Sequence, residues 1–357
     1  MKNTSSPHLF PTSVVGSMPR SEFVKELLAN PTVSEEHEKH MDAAVRYVIA
    51  VQEKAGLDVV TDGEWRRRSY IGVIAELAHG FELSTNPADG RPWTIVVDKL
   101  TPKNPGFIAA EMSFAKTVTS KRVKATLPSP ALLGERMWDA NKSARAYPTR
   151  EGFVQDCIPI LRREVELLKE AGAEVIQIDD PHLCLFVDPV VRSQYEKPDF
   201  AADAAVDAVN SVVDGISDVH FAEHLCRRSG ARVRGEAGHS GGFPMILQQL
   251  NRLKVHHLTM EFTVPGAGDF EVLKQLREDF EIGLGCVDVT PGKVDTPETI
   301  VERVRLAAKY VAPERITLNP DCGFSPGSGA VVSIDEAYLK LRNEVIAAER
   351  LRDEFGG

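Results

Sequence analysis

The stretch Val219-His220-Phe221-Ala222-Glu223-His224-Leu225-Cys226 reads as a buried strand with an imidazole and a thiol at its far end. Side chains two apart on an extended segment share a face, so His224 and Cys226 project together. Two further candidate ligands close predicted strands downstream. Glu261 ends His257-Leu258-Thr259-Met260-Glu261, and Cys322 follows Ile316 to Asp321. One nitrogen, two thiolates and one carboxylate suit a tetrahedral zinc ion. The competing reading is structural. Free cysteines are commonly core residues, and Glu261 could be held by an arginine.

Those residues need elements to carry them, and one pattern recurs along the chain: amphipathic helix, short break, apolar strand, polar residues. Strands are predicted over 10–15, 57–61, 122–127, 174–178, 219–226, 257–261, 281–285 and 316–321. Crossover helices are predicted within 20–54, around Leu161, Val165 and Leu168, and over 201–213, 243–253, 270–280 and 297–310. A closing helix starts at Ile334. Eight strands alternating with helices imply an α/β chain closed as a (β/α)8 TIM barrel. An open doubly wound sheet is the alternative, but no Gly-x-Gly-x-x-Gly follows the first strand. Residues from about 81 to 121 read as a hairpin insertion after the second strand. Its turns are at Asn86-Pro87, Asp89-Gly90 and Lys103-Asn104-Pro105-Gly106. Residues 1–357 are expected to form one domain.

Barrel active sites lie at the carboxyl ends of the strands. Ser17, Glu64, Asp179, His224, Cys226, Glu261 and Cys322 all fall at such ends, which favours a metal-dependent active site over scattered core residues. Glu64 could instead pair with Arg66 to Arg68, and Asp179-Asp180 could cap the turn that follows.

Bulk properties narrow the partners. A net charge of -10 over 357 residues argues against nucleic acid. Arg66-Arg67-Arg68, the one compact basic run, reads as a solvated or anion-binding loop. The N-terminal MKNTSSPHLF lacks the apolar core of a signal peptide, and no apolar run reaches membrane-spanning length. Five widely spread cysteines make no disulfide framework. A cytoplasmic protein with reduced thiols is the expectation.

Six motifs run in the order of one family: VVGSMPR at Val14, DVVTDGEWRRR at Asp58, IQIDDP at Ile176, HLC at His224, LTMEF at Leu258 and NPDCGF at Asn319. On them the chain resembles the catalytic, C-terminal half of cobalamin-independent methionine synthase, which transfers a methyl group to homocysteine. The resemblance implies that His224, Cys226, Glu261 and Cys322 bind zinc. It implies that Glu64 and Asp179 take the homocysteine ammonium, while Gly16 and Ser17 hold its carboxylate. Three departures weaken the donor side. No counterpart of the longer enzymes' second barrel is expected within these 357 residues, and Trp138 is out of register with their pterin-stacking tryptophan. Thr290 stands where they place a proton-donating histidine. The expected activity is therefore zinc-dependent S-methyl transfer to homocysteine, from methyl-folate or a methyl-corrinoid, with a corrinoid protein as a possible partner. Another zinc-thiol alkyltransferase, such as one acting on coenzyme M, and a thiol or zinc sensor without turnover remain alternatives.

Overall fold

The computed structural model describes residues 8–30, 34–85, 92–227, 240–264, 269–324 and 332–356. Its centre is a curled, seven-stranded parallel sheet. In sheet order the strands are β1 (Val59–Val60), β4 (Arg122–Pro128), β5 (Val175–Asp179), β6 (His220–Leu225), β7 (His257–Glu261), β8 (Glu281–Val287) and β9 (Ile316–Pro320). Each neighbouring pair is parallel. β2 (Ala78–Thr85) and β3 (Pro92–Pro102) form a separate antiparallel hairpin. Among the described residues, no helix is long and apolar enough to cross a membrane.

The first predicted strand has a different form. Residues 11–13 make single parallel bridges to both edges of the sheet, Thr12 to Leu318 of β9 and Ser13 to Val59 of β1. Side chains divert its donors from a regular ladder: Thr12 N donates to Asp58 Oδ2 at 2.9 Å, and Ser13 N is shared between Leu318 O and Glu344 Oε1. Pro11 has no N–H to give.

The helices bury the stripes their spacing predicts. Helix Glu35–Ala55 turns Val45, Val48 and Ile49 to the core, starts at Ser34, whose side chain accepts from His37 N, and stops at Gly56. Gly56 has φ 99°, a left-handed conformation that glycine adopts without strain. Helix Arg150–Glu170 buries Phe153, Cys157, Leu161, Val165 and Leu168, and the closing helix Ile334–Phe355 buries Leu341, Val345 and Ala348.

Two predicted elements differ. The expected insertion is a hairpin only as far as Pro102; Phe107–Val118 is a helix. Gly106, in its N-cap position, has no side chain to signal a helix start. The cap comes from elsewhere: Glu164 accepts from the backbone N–H groups of Gly106, Ile108 and Ala109 at 2.6 to 3.0 Å. The turns at Asn86-Pro87 and Asp89-Gly90 lie outside the described residues. The helix expected over 270–280 is a short 3-10 turn, Phe270–Gln275, because Leu276 is already extended. There the Arg277 side chain leaves to bond the carbonyls of Asn251 and Leu253.

Candidate metal centre and substrate pocket

β6 delivers His224 near its end and releases Cys226 just past it, while Cys322 lies two residues beyond the end of β9. One ring nitrogen of His224 and the Sγ atoms of Cys226 and Cys322 lie within 4.8 Å of one another, all on buried residues. The two sulfurs are 3.4 Å apart. Two thiolates on a tetrahedral zinc, with bonds of about 2.3 Å, would stand about 3.8 Å apart, so the pair needs to move only a few tenths of an ångström.

The histidine is set for the same purpose. His224 Nδ1 lies 3.0 Å from Asp179 Oδ1, which makes Nδ1 the protonated nitrogen. Nε2 is buried with no hydrogen-bond partner. Leaving a buried acceptor unmatched typically costs on the order of 1–3 kcal/mol, and a metal would remove that cost. A carboxylate fixing the far nitrogen is the usual support of a metal-binding imidazole. Burial opposes the imidazolium form of His224, yet the Asp179 hydrogen bond and the charges of Asp179 and Cys226 outweigh it and raise the pKa. The Cys322 thiol is pushed well up, first by its hydrogen bond with Cys226 and then by burial. Without a metal Cys322 therefore favours the thiol form, and binding must expel its proton.

Glu261, the fourth expected ligand, is fully buried beside this group but not within it. Its Oε2 accepts from Arg227 N at 3.1 Å, one residue beyond Cys226. Asp321 ties its strand end to the Cys322 loop by accepting from Phe262 N at 3.1 Å and Thr263 N at 3.2 Å. Gly285 allows that crowding; a Cβ there would come within 2.4 Å of Met260 O and 2.8 Å of Asp321 Oδ1.

Glu64, after β1, has φ 58°, a conformation that bulky residues adopt only under constraint. Arg20 supplies part of it by donating to Glu64 O at 2.9 Å and to Arg67 O at 2.8 Å. Glu64 Oε1 accepts from Thr126 Oγ1 at 2.8 Å. Burial raises its pKa and the nearby Asp179 charge adds to this, while Arg67 opposes. A Cβ on Gly16 would stand 2.8 Å from Glu64 Oε1, so a larger residue would displace that carboxylate. Ser17 packs toward the Cys322 loop: Phe324 N donates to Ser17 O at 2.9 Å, and a Cβ on Gly323 would meet Ser17 Oγ at 2.3 Å. Gly16 and Ser17 thus bridge the Glu64 loop and the Cys322 loop.

The alternatives resolve residue by residue. Arg67 is not solvated; it is buried against Glu111 at 2.8 Å and donates to Thr126 O, while Arg66 pairs with Glu38 and Asp42. Arg67 meets Glu64 through its backbone N, which donates to Glu64 O at 3.2 Å, and through its charge, which opposes the rise in the Glu64 pKa. Asp180 does cap the following turn, accepting from Leu183 N. Trp138 donates to Tyr147 O at 2.9 Å and packs on the core. Thr290 N donates to Asp288 Oδ1, and Lys293 sits 2.5 Å from Asp288 Oδ2. Burial acts against the Asp288 charge, but Lys293 and Thr290 prevail and hold its pKa below the usual value.

Sequence reasoning missed three residues. Tyr70 stands close enough to Arg136, Cys226, Asp179 and Cys322 to feel their charges, and burial pushes its pKa up. No spacing signal marks it. Lys124 and Gln177 are polar residues at inward positions of apolar strands, a signal that was present. They are bonded to each other at 2.9 Å, and burial lowers the Lys124 pKa to about 8.

Comparison with known proteins identifies the family. The model of the cobalamin-independent synthase family, catalytic domain, matches residues 10–350. A methionine synthase of Saccharolobus solfataricus is 30% identical over 97% of this chain and 96% of its own length. One of Pyrococcus horikoshii is 28% identical over 97% of this chain and 94% of its own. The fold is that of a B12-independent methionine synthase from Shewanella sp. W3-18-1 in complex with selenomethionine, with a TM-score of 0.78 at 21% identity, covering 97% of this chain and 98% of that one. With its motifs in order, its strand ends converging on one donor cluster and the family model spanning nearly all of it, this chain belongs to the cobalamin-independent synthase family as a methyltransferase of the catalytic-domain type.

Proposed function

We propose that this protein is a single-domain, cytoplasmic enzyme that transfers a methyl group to the thiol of homocysteine, with zinc as its resident metal. The observation that carries the reading is the His224, Cys226 and Cys322 cluster with its unused Nε2. In this reading the sheet and the bridging residues 11–13 make a (β/α)8 barrel, with the hairpin and helix of 78–118 as its insertion.

Zinc held by His224, Cys226 and Cys322 would supply the positive charge that keeps a substrate thiol deprotonated at neutral pH. Glu261, buried beside the cluster, would be the fourth residue to hold the metal. Three protein ligands with an exchangeable fourth position is the pattern of reactive rather than structural zinc. Glu64 and the second oxygen of Asp179 receive the ammonium, and Gly16 and Ser17 receive the carboxylate. The carbon–leaving-group bond of the donor breaks as the sulfur–methyl bond forms, and the leaving group keeps the electron pair.

Thr290 cannot act as an acid near pH 7, and Lys293 keeps Asp288 in its charged form. These two residues favour a donor whose leaving group needs no proton, such as a methyl-corrinoid, free or on a partner protein. The test gives zinc-loaded enzyme homocysteine or coenzyme M, each with methyl-folate or methylcobalamin. Methionine formation supports the reading. Coenzyme M methylation in preference to homocysteine would replace the acceptor, and thiol binding without turnover on any donor would make the protein a sensor.

A further inference from the structure

The inward side chains of β4, β5 and β6 form a directed hydrogen-bond chain that ends at the metal centre. Lys124 Nζ donates to Gln177 Oε1 at 2.9 Å. Gln177 Nε2 donates to Asp179 Oδ1 at 2.7 Å and to Val15 O at 3.1 Å. Asp179 Oδ1 also takes His224 Nδ1 at 3.0 Å. Lys124, Gln177, Asp179 and His224 are all buried.

The direction of this chain is not free. A lysine ammonium has donors and no acceptor, so it must meet the oxygen of the Gln177 amide. A backbone carbonyl has no donor, so Val15 O must meet the nitrogen. Both partners impose the same amide orientation. The amide then presents N–H to Asp179, whose oxygen accepts from two sides, and His224 is left with its proton on Nδ1 and its lone pair on Nε2. We propose that Lys124 and Gln177 are positioning residues for the metal centre, fixing through Asp179 the tautomer and orientation of His224 as a ligand. This rests on the zinc reading above. It adds a foot to the site two side chains below the ligand, on strands that contribute no metal donor themselves.

Gln177→Glu is the sharpest probe. It keeps the shape and the oxygen that meets Lys124 but replaces the N–H donor with an oxygen facing Asp179 Oδ1 and Val15 O. Lys124→Met removes the donor that orients the amide. Zinc affinity of the full-length protein is measured by competition with a chelating dye, and zinc retention is followed against pH. Supporting polar residues of metal ligands are typically worth about 10–100-fold in affinity. The expected result is a loss in that range for Gln177→Glu and a smaller loss for Lys124→Met, with zinc release moving to higher pH in both. The ring-nitrogen NMR signals of His224 in zinc-free protein at alkaline pH should show the Nδ1-protonated tautomer, and a mixture in Gln177→Glu. A lower melting temperature with unchanged zinc affinity, release pH and tautomer would overturn the proposal. Should Gln177→Glu not fold, the same readouts on Lys124→Met decide it. Wild-type protein that takes up no zinc would instead refute the function proposed above, whereas zinc-binding wild type with unaffected variants refutes only the relay.

Discussion

Cys226 and Cys322 are 96 residues apart in the chain, and their Sγ atoms stand 3.4 Å apart. Their strands, β6 and β9, are separated in the sheet by β7 and β8. In a flat sheet three strand spacings would hold them about 14 Å apart. The contact exists because the sheet curls, which places both strand ends over one mouth.

Cysteine replacements should divide into two groups. Cys322→Ser is expected to abolish tight zinc binding, read as the zinc content of protein purified without chelator. Cys157, Cys184 and Cys286 are buried outside the donor group, so each Cys→Ser change should keep about one zinc per chain. These three should show their effect in melting temperature, on the order of 1–3 kcal/mol for a buried hydroxyl without a ready partner. Full zinc content in Cys322→Ser would remove the site.

The proposed ammonium-binding role is best probed at Glu64, because Asp179 also holds His224. Glu64→Gln keeps the Thr126 contact but removes the charge. Homocysteine binding should weaken by on the order of 10–100-fold, the worth of a charge-assisted hydrogen bond of about 1.5–3 kcal/mol. A simple thiol without an amine should bind almost as before. Equal losses for both thiols, measured by calorimetry, would make Glu64 structural.

Methyl-folate carries its methyl on a tertiary amine that leaves well only when protonated, and positioned acids typically contribute roughly 10²–10⁴-fold. Thr290 and the Lys293-paired Asp288 supply no such acid. Turnover with methyl-folate should therefore fall well below turnover with methylcobalamin at equal homocysteine. Thr290→His should raise the methyl-folate rate while leaving the corrinoid rate unchanged. Brisk wild-type methionine formation from methyl-folate would reject this assignment.

Glu223 gives a pH signature unrelated to catalysis. It is fully buried on β6 with neither carboxylate oxygen hydrogen-bonded, and burial, followed by the charges of Asp180 and Asp179, raises its pKa well above the usual value. The folded state then holds this proton more tightly than the unfolded chain does. Its stabilising effect is full below the unfolded pKa of about 4.3 and is lost as pH rises toward the folded value. Glu223→Gln should flatten that dependence, narrowing the fall in unfolding free energy from pH 5 to pH 8. Parallel pH profiles for variant and wild type, from denaturant titrations, would contradict the buried-acid account.

Several features were legible in the chain because their causes are local. The two-residue spacing of His224 and Cys226 fixes a shared face wherever that strand lies. Apolar runs, among them those ending at Asp179, Glu261 and Asp321, mark all seven strands of the sheet, and the repeated helix-then-strand order fixes their parallel pairing. The family motifs name the residues worth watching.

Tertiary structure decided what depends on partners far along the chain. Helix Phe107–Val118 starts where Glu164 reaches across to cap it, so its own N-cap position carried no sign. Arg67 left the surface because Glu111 and Thr126 receive it inside. Asp179, read as a substrate ligand, is also the support of His224, and Lys124 and Gln177 extend that support inward. A side chain's type limits what it can donate or accept. Which neighbour it meets is set by strand register and the curl of the sheet, so the sequence alone determined the cast of the candidate donor cluster and the fold determined its hydrogen-bond order.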